Sequence, residues 1–247
     1  MAVTLFLDVG NSACKWRLVV GSYREQGSFY HQQGWATLVT RLSSQRPTRL
    51  LVASVAGAQR NAELAAEVQS ALGVAPEFVV SAQQSLGVTN AYAEPERLGV
   101  DRWLGIIEAH ARHGASIVID AGSAITIDAV TAGGRHLGGY IVPGLGMMRQ
   151  SLAGGTAEVR FGAPDWRAIT PGVNTSEAVD HGLLRMTLAF ITDAVVALGG
   201  QLADTCTTII TGGDAPLLLP WLDITTQHHA DLVLDGLERV SSTASED

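Results

Sequence analysis

Leu5–Trp16 reads LFLDVGNSACKW, and Ser116–Val130 reads SIVIDAGSAITIDAV. Both begin as buried strands, admit one aspartate, pass through a small residue and a glycine into a hydroxyl-bearing turn, and resume as strands. Asp8 and Asp120 hold equivalent places. A second pair lies farther on in each half: LLVASVAG ending at Gly57 and TTIITGGDA ending at Ala215, each a strand that runs into small residues and glycine. The pattern is a duplicated α/β domain rather than a short solenoid repeat, with its boundary near Gly114 and halves spanning 1–114 and 115–247.

The 247 residues are 47% hydrophobic and 16% charged, enough to bury a substantial core and unlike a disordered chain. A formal charge of −8 offers no general attraction for nucleic acid or anionic lipid, so any bound anion must be captured locally. Cys14 and Cys206 are too few and too far apart for a disulfide framework or a zinc site, and read as buried thiols. No basic segment precedes the first apolar run, which predicts no signal peptide. The apolar window LAFITDAVVALGG contains Asp193 and falls short of a membrane span, so a cytoplasmic enzyme without a membrane or nucleic-acid partner is expected.

Between the markers, Asn61–Gly73 predicts a helix capped by Asn61 and ended by glycine, EFVVSA a strand, and Arg97–His113 a helix that starts after Gly99 and stops at Gly114. Gly133-Gly134 predicts a hairpin turn and Pro143-Gly144 a loop. Thr175–Leu198 predicts a long helix with a capping-box start at Thr175 or Ser176. The tail SSTASED reads as frayed.

Two Asp-x-Gly turns at strand ends suit a paired phosphate clamp. Glycine permits close backbone approach, turn amides and hydroxyls donate to phosphate oxygens, and Lys15 neutralises charge. On residue chemistry alone both aspartates would hold a cation such as Mg²⁺, which is bound by one or two carboxylates together with substrate phosphate. The competing explanation is two ordinary aspartate turns, and the repetition in matched context weighs against it. No Walker A pattern is present, and GLGMMR at Gly144 lacks the third glycine of a dinucleotide fingerprint. Gly212-Gly213 fits either adenosine lying on the backbone or a purely structural strand-to-helix turn. His228-His229 lacks further ligands for a metal, and the five tryptophans are too scattered to form a base-stacking platform.

The ordered set DVGNSACKW at Asp8, YAEPERLGVDRW at Tyr92, DAGSAITID at Asp120, GGYIVPG at Gly138, PGVNTSEAVDHG at Pro171 and TGGDA at Thr211 resembles the type III pantothenate kinases, within the actin, hexokinase and acetate kinase superfamily. The resemblance spans nearly the whole chain, and LGVDR is its most telling piece. It implies two ribonuclease-H-like (actin-like ATPase) α/β domains with a central cleft, and a homodimer in which Thr175 and its helix are partly intersubunit.

It also implies roles by position. Asp8, Val9, Gly10, Asn11, Ser12, Ala13, Cys14 and Lys15 would contact ATP phosphates, with Ser123 as a further ATP contact where the family usually has threonine. Tyr92, Gly99, Val100, Asp101, Arg102 and Thr175 would bind pantothenate, and Asp101 would accept the proton. Asp120 is implied to bind a monovalent cation, K⁺ or NH₄⁺, leaving Asp8 to the Mg–ATP side. Arg102 could grip the substrate carboxylate or amide through its planar fork, the alternative being a surface Asp-Arg pair at a helix start.

The activity expected is ATP-dependent phosphorylation of pantothenate, the first committed step toward coenzyme A. Some relatives are described as accessory factors for virulence-gene transcription, which supplies the rival expectation of a regulatory protein with or without kinase activity. The acidic composition counts against direct DNA contact. A kinase for a sugar or short carboxylic acid is a third reading, and LGVDR and PGVNT count against it.

Overall fold

A computed structural model describes residues 3–31, 34–42, 45–155, 162–202 and 205–243. Contacts divide the chain into two units, residues 1–108 with 231–247, and residues 109–230. Unit 1 holds β1 (Val3–Val9), β2 (Ala13–Val20), β3 (Tyr23–Tyr30), α1 (Ala36–Leu42), β4 (Arg49–Ser54), α2 (Ala58–Leu72), β5 (Pro76–Phe78) and a small hairpin of β6 (Gln84–Ser85) and β7 (Val88–Thr89). Helix α3 (Val100–His113) carries the chain across the division. Unit 2 holds β8 (Ser116–Ala121), β9 (Ala124–Val130), β10 (His136–Pro143), α4 (Leu145–Gly155), α5 (Thr175–Gly199), β11 (Thr207–Thr211), α6 (Ala215–Leu218) and β12 (Gln227–His228). The last helix, α7 (Leu232–Thr243), belongs to unit 1.

The two sheets have one design. Unit 1 orders its strands β3-β2-β1-β4-β5 and unit 2 orders them β10-β9-β8-β11-β12. In each, the first three strands form antiparallel neighbours and the remaining pairs are parallel. Register makes the duplication exact at the residue level: Asp8 lies opposite Lys15 and Ala53, and Asp120 lies opposite Thr126 and Thr211.

Side-chain alternation explains why the central strands are apolar throughout. Leu5, Leu7 and Val9 of β1 join Leu50 and Val52 of β4 under α1 and α2, where Leu38, Leu42, Leu64 and Val68 are buried. Phe6, Leu51 and Ala53 face the other way and meet Val100 and Leu104 of α3 and Val233, Leu234 and Leu237 of α7. Truncating any of these leucines to alanine costs about 2–5 kcal/mol. In unit 2, Ile117, Ile119 and Ala121 of β8 pack with Leu184, Leu188 and Ile191 of α5.

Several expectations need correction. A single cut at 114/115 would place α7 in the second half, yet α7 packs on β1, β2 and β4 and its Arg239 grips Glu108 of α3 at 2.5 and 3.1 Å. Chain order alone could not show that return. Helix α2 starts after Gly57, not at Asn61, because Asn61 instead accepts a 2.5 Å hydrogen bond from Ser54 Oγ; its end on Gly73 is as predicted. Of EFVVSA only Glu77 and Phe78 pair as strand, at the end of Pro76–Phe78. No loop separates β10 from α4, which Gly144 alone joins. Residues 244–247 of the tail lie outside the described residues.

Helix α5 is capped by Asn174, one residue before the expected cap: Asn174 Oδ1 accepts from Glu177 N, and Glu177 Oε2 accepts from Val173 N. At 25 residues, with an 18-residue window of mean hydropathy 1.6, α5 has the length and apolarity of a membrane span, contrary to the shorter window read from sequence. Leu183, Leu184, Leu188, Ile191, Ala194 and Leu198 are nevertheless buried in the unit 2 core.

Candidate active site

In unit 1 the first hairpin opens where β1 ends. Gly10 N donates to Ala13 O at 3.0 Å and closes the turn, leaving Asn11 and Ser12 exposed and Asp8 and Lys15 partly buried on adjacent strands. Val9 and Cys14 pair beneath them in the core. Burial, and secondarily the Asp8 carboxylate, push the Cys14 thiol well above its ordinary value. Its Sγ–H donates to Lys15 O at 3.4 Å, so Cys14 packs as a small apolar residue rather than a nucleophile.

The same strand ends receive the start of α3. Val55 N donates to Val9 O, and a Cβ built on Gly99 would lie 3.8 Å from Val55 Cγ1 and 2.7 Å from Asp101 Oδ1. Asp101 sits in the first turn of α3, where the helix dipole favours a carboxylate, and accepts from Arg102 N at 2.7 Å. Arg102 is buried. Its Nη1 donates to Tyr92 Oη at 3.0 Å, and its guanidinium carbon lies 5.8 Å from the Tyr92 ring centroid. Asp8, residues 9–15, Tyr92 and Gly99–Arg102 therefore all belong to unit 1, with the Asp101 helix start against the ends of β1 and β4.

Unit 2 carries the second hairpin. Gly122 N donates to Ala124 O at 2.9 Å, and Gly144 N to Ser123 O at 2.9 Å. A Cβ on Gly144 would collide with Gly122 O, and one on Gly212 would collide with Ala121 O and Asp120 Oδ1. Gly212 also has φ +93°, so this position requires glycine twice over. Asp214 N reaches Ala121 O at 2.8 Å, and burial pushes the Asp214 carboxyl up from its ordinary value. Thr175, the first residue of α5, is exposed in unit 2.

Sequence reasoning missed the residues that hold this machinery. Asn90 is buried: its Nδ2 donates to Ala82 O and Pro95 O, both at 3.2 Å, and its Oδ1 accepts from Tyr92 N at 3.0 Å. Ser81 Oγ pins Leu98 O at 2.8 Å, just before Gly99. The asparagine two residues before Tyr92 was the available signal, since asparagine side chains bond backbone two residues on.

Two sheets of one topology, each with an Asp-x-Gly hairpin at the end of its first strand, define a duplicated α/β protein of the actin-like ATPase fold. Solved structures agree on the fold. A Campylobacter jejuni protein described as a Baf family transcriptional activator superposes with a TM-score of 0.62 at 19% identity, covering 98% of this chain and all of that one. Component A of (R)-2-hydroxyglutaryl-CoA dehydratase from Acidaminococcus fermentans gives 0.52 at 14% identity, covering both chains fully. The family model of type III pantothenate kinases matches residues 4–197. A type III pantothenate kinase of Alcanivorax borkumensis is 46% identical over 241 residues, spanning 96% of this chain and 98% of its own. The chain belongs to the type III pantothenate kinase family.

Proposed function

We propose that the chain transfers the γ-phosphoryl group of ATP to the 4′-hydroxyl of pantothenate, giving 4′-phosphopantothenate and ADP. The observation that carries this reading is the seating of Gly99 and Val100, which lead directly into Asp101 and Arg102, against the strand ends where the Asp8 hairpin opens. Phosphoryl transfer needs little covalent help, so positioning and charge neutralisation suffice. Hairpin 8–15 holds the phosphates through turn amides and Lys15, with Ser123 as a further nucleotide contact. Tyr92, Gly99, Val100, Arg102 and Thr175 hold pantothenate, with Arg102 directed at its carboxylate or amide region. Asp101 orients the hydroxyl and takes its proton as the new P–O bond forms.

The residues present fit the implied ions. Among the described residues no group of three or more His, Cys, Asp or Glu is arranged for a metal, but Mg²⁺ on a nucleotide needs only one carboxylate, and Asp8 supplies it. Asp120 lies between Thr126 and Thr211, an oxygen-rich setting suited to K⁺ or NH₄⁺. Such ions would supply charge neutralisation around the phosphate oxygens. A homodimer is supported by the exposed apolar Tyr140, Ile141 and Met186, with Tyr140 edge-on to Phe190 of α5. A cytoplasmic setting fits a metabolic kinase.

The deciding experiment is phosphopantothenate formation by the purified chain with MgATP in K⁺, NH₄⁺ or Na⁺, beside Asp101→Asn. Turnover that needs K⁺ or NH₄⁺ and falls by roughly 10²–10⁴-fold in the variant is expected. A folded dimer with no turnover in any ion would sink the proposal.

A further inference from the structure

The first hairpin turn is one residue longer than the second, Gly10-Asn11-Ser12 against Gly122-Ser123. An added peptide brings an added carbonyl, and a carbonyl facing a phosphate repels it. In this turn all three oxygens are held by protein donors. His31 Nε2 lies 2.8 Å from Gly10 O, so that ring nitrogen carries the proton. His31 N donates to Ser12 O at 3.1 Å, and Arg60 Nη1 donates to Asn11 O at 2.8 Å. His31 directly follows β3, with its ring 5.8 Å from that of Trp35, and Arg60 lies in the first turn of α2.

A trans peptide points its N–H opposite its C=O. Tethering the oxygens of residues 10, 11 and 12 therefore sets the directions of the Asn11, Ser12 and Ala13 N–H groups. The second half reaches the same end by backbone alone. Gly144 stands at the register position of His31; its N–H holds Ser123 O and its Cα packs on Gly122 O. The longer turn leaves a gap that a side chain must span, and the extra residue requires one more donor.

We infer that His31 and Arg60 are positioning residues for nucleotide binding, which lock the turn 10–12 by its carbonyls and aim its amides at the phosphates. The inference rests on the reading of residues 8–15 as the ATP hairpin.

Calorimetric titration of the full chain with MgATP, alongside steady-state kinetics in both substrates, tests it. His31→Ala and Arg60→Ala should each weaken nucleotide Kd about three- to tenfold, as loss of one tethering hydrogen bond does, with the KM for pantothenate and the melting temperature unchanged. His31→Gln and Arg60→Gln keep an N–H donor and should restore most of the affinity. Arg60 is exposed, so its variants decide the matter even where a His31 variant fails to fold. Unchanged nucleotide affinity in Arg60→Ala, equal losses for both substrates, or no recovery with glutamine would overturn the inference. An unaltered chain that binds MgATP without phosphorylating pantothenate would overturn the kinase reading alone, because the tether is read from Kd.

Discussion

The two hairpins share topology and an aspartate but divide the work of meeting charge differently. Beside Asp8 the register places Lys15; beside Asp120 it places Thr126. Beyond the parallel neighbour, Ser54 stands opposite Val9 in the first half, and its hydroxyl reaches Asn61 of α2. In the second half the next residue along is Gly212, and the Asp120 carboxylate occupies the space a side chain would need. The first hairpin thus brings its own cation and a long, side-chain-tethered turn. The second brings a carboxylate, hydroxyls and glycine backbone. The two copies have diverged, the first toward a lysine and side-chain donors, the second toward hydroxyls and glycine backbone.

The comparison breaks most visibly at Gly212. Gly212→Ala adds a Cβ against two oxygens at φ +93° and should destabilise by about 2–5 kcal/mol, from left-handed strain plus overpacking. Ser54→Ala at the matching place removes one hydroxyl and should cost about 1 kcal/mol. Urea unfolding of both variants measures the difference. Equal costs would mean that the second hairpin is no more tightly packed than the first.

Lys15→Thr makes the first hairpin resemble the second at that position. It should lower kcat/KM for ATP roughly 10–100-fold, with the fold intact, as loss of a charge-assisted phosphate contact does. Initial rates at varied ATP and fixed pantothenate measure it. A change below about twofold would remove Lys15 from the phosphate site.

The duplication was legible because it is written in strands: alternation, the aspartate before the turn and the glycine after it all follow from local geometry. Register then follows from the pairing of the hairpins, which is why Asp8 and Asp120 could be matched from sequence. What sequence did not disclose acts across distance. His31 reaches back 21 residues to Gly10 O, Arg60 reaches back 49 to Asn11 O, and Arg239 closes on Glu108 across 131. Each bonds a backbone oxygen or a buried carboxylate through a residue type that also decorates ordinary surfaces. Asn61 misled because asparagine before an apolar period signals a cap, whereas a serine on the neighbouring strand end had claimed its side chain. The LGVDR motif pointed to Asp101 and Arg102, but the means of holding Tyr92 over Arg102 lay in Asn90.

The smallest effect concerns Cys14, whose place in the second hairpin is taken by Ile125; both are buried. If the two hairpins use this position alike, Cys14→Val should change stability at pH 7 by less than about 1.5 kcal/mol and leave turnover intact. Alkaline pH separates the residues. In the unfolded chain the thiol ionises near pH 8.5, whereas in the folded chain burial, then Asp8, hold it protonated to higher pH. The folded state then binds more protons than the unfolded one, so stability falls as pH rises above about 8.5, until the folded thiol also ionises. Cys14→Val abolishes that contribution, and its stability advantage over the unaltered chain should grow between pH 8 and 10 in urea melts. Parallel pH profiles for the two proteins would mean that the Cys14 thiol ionises in the fold as it does in water, and that the first hairpin is open where the second is closed.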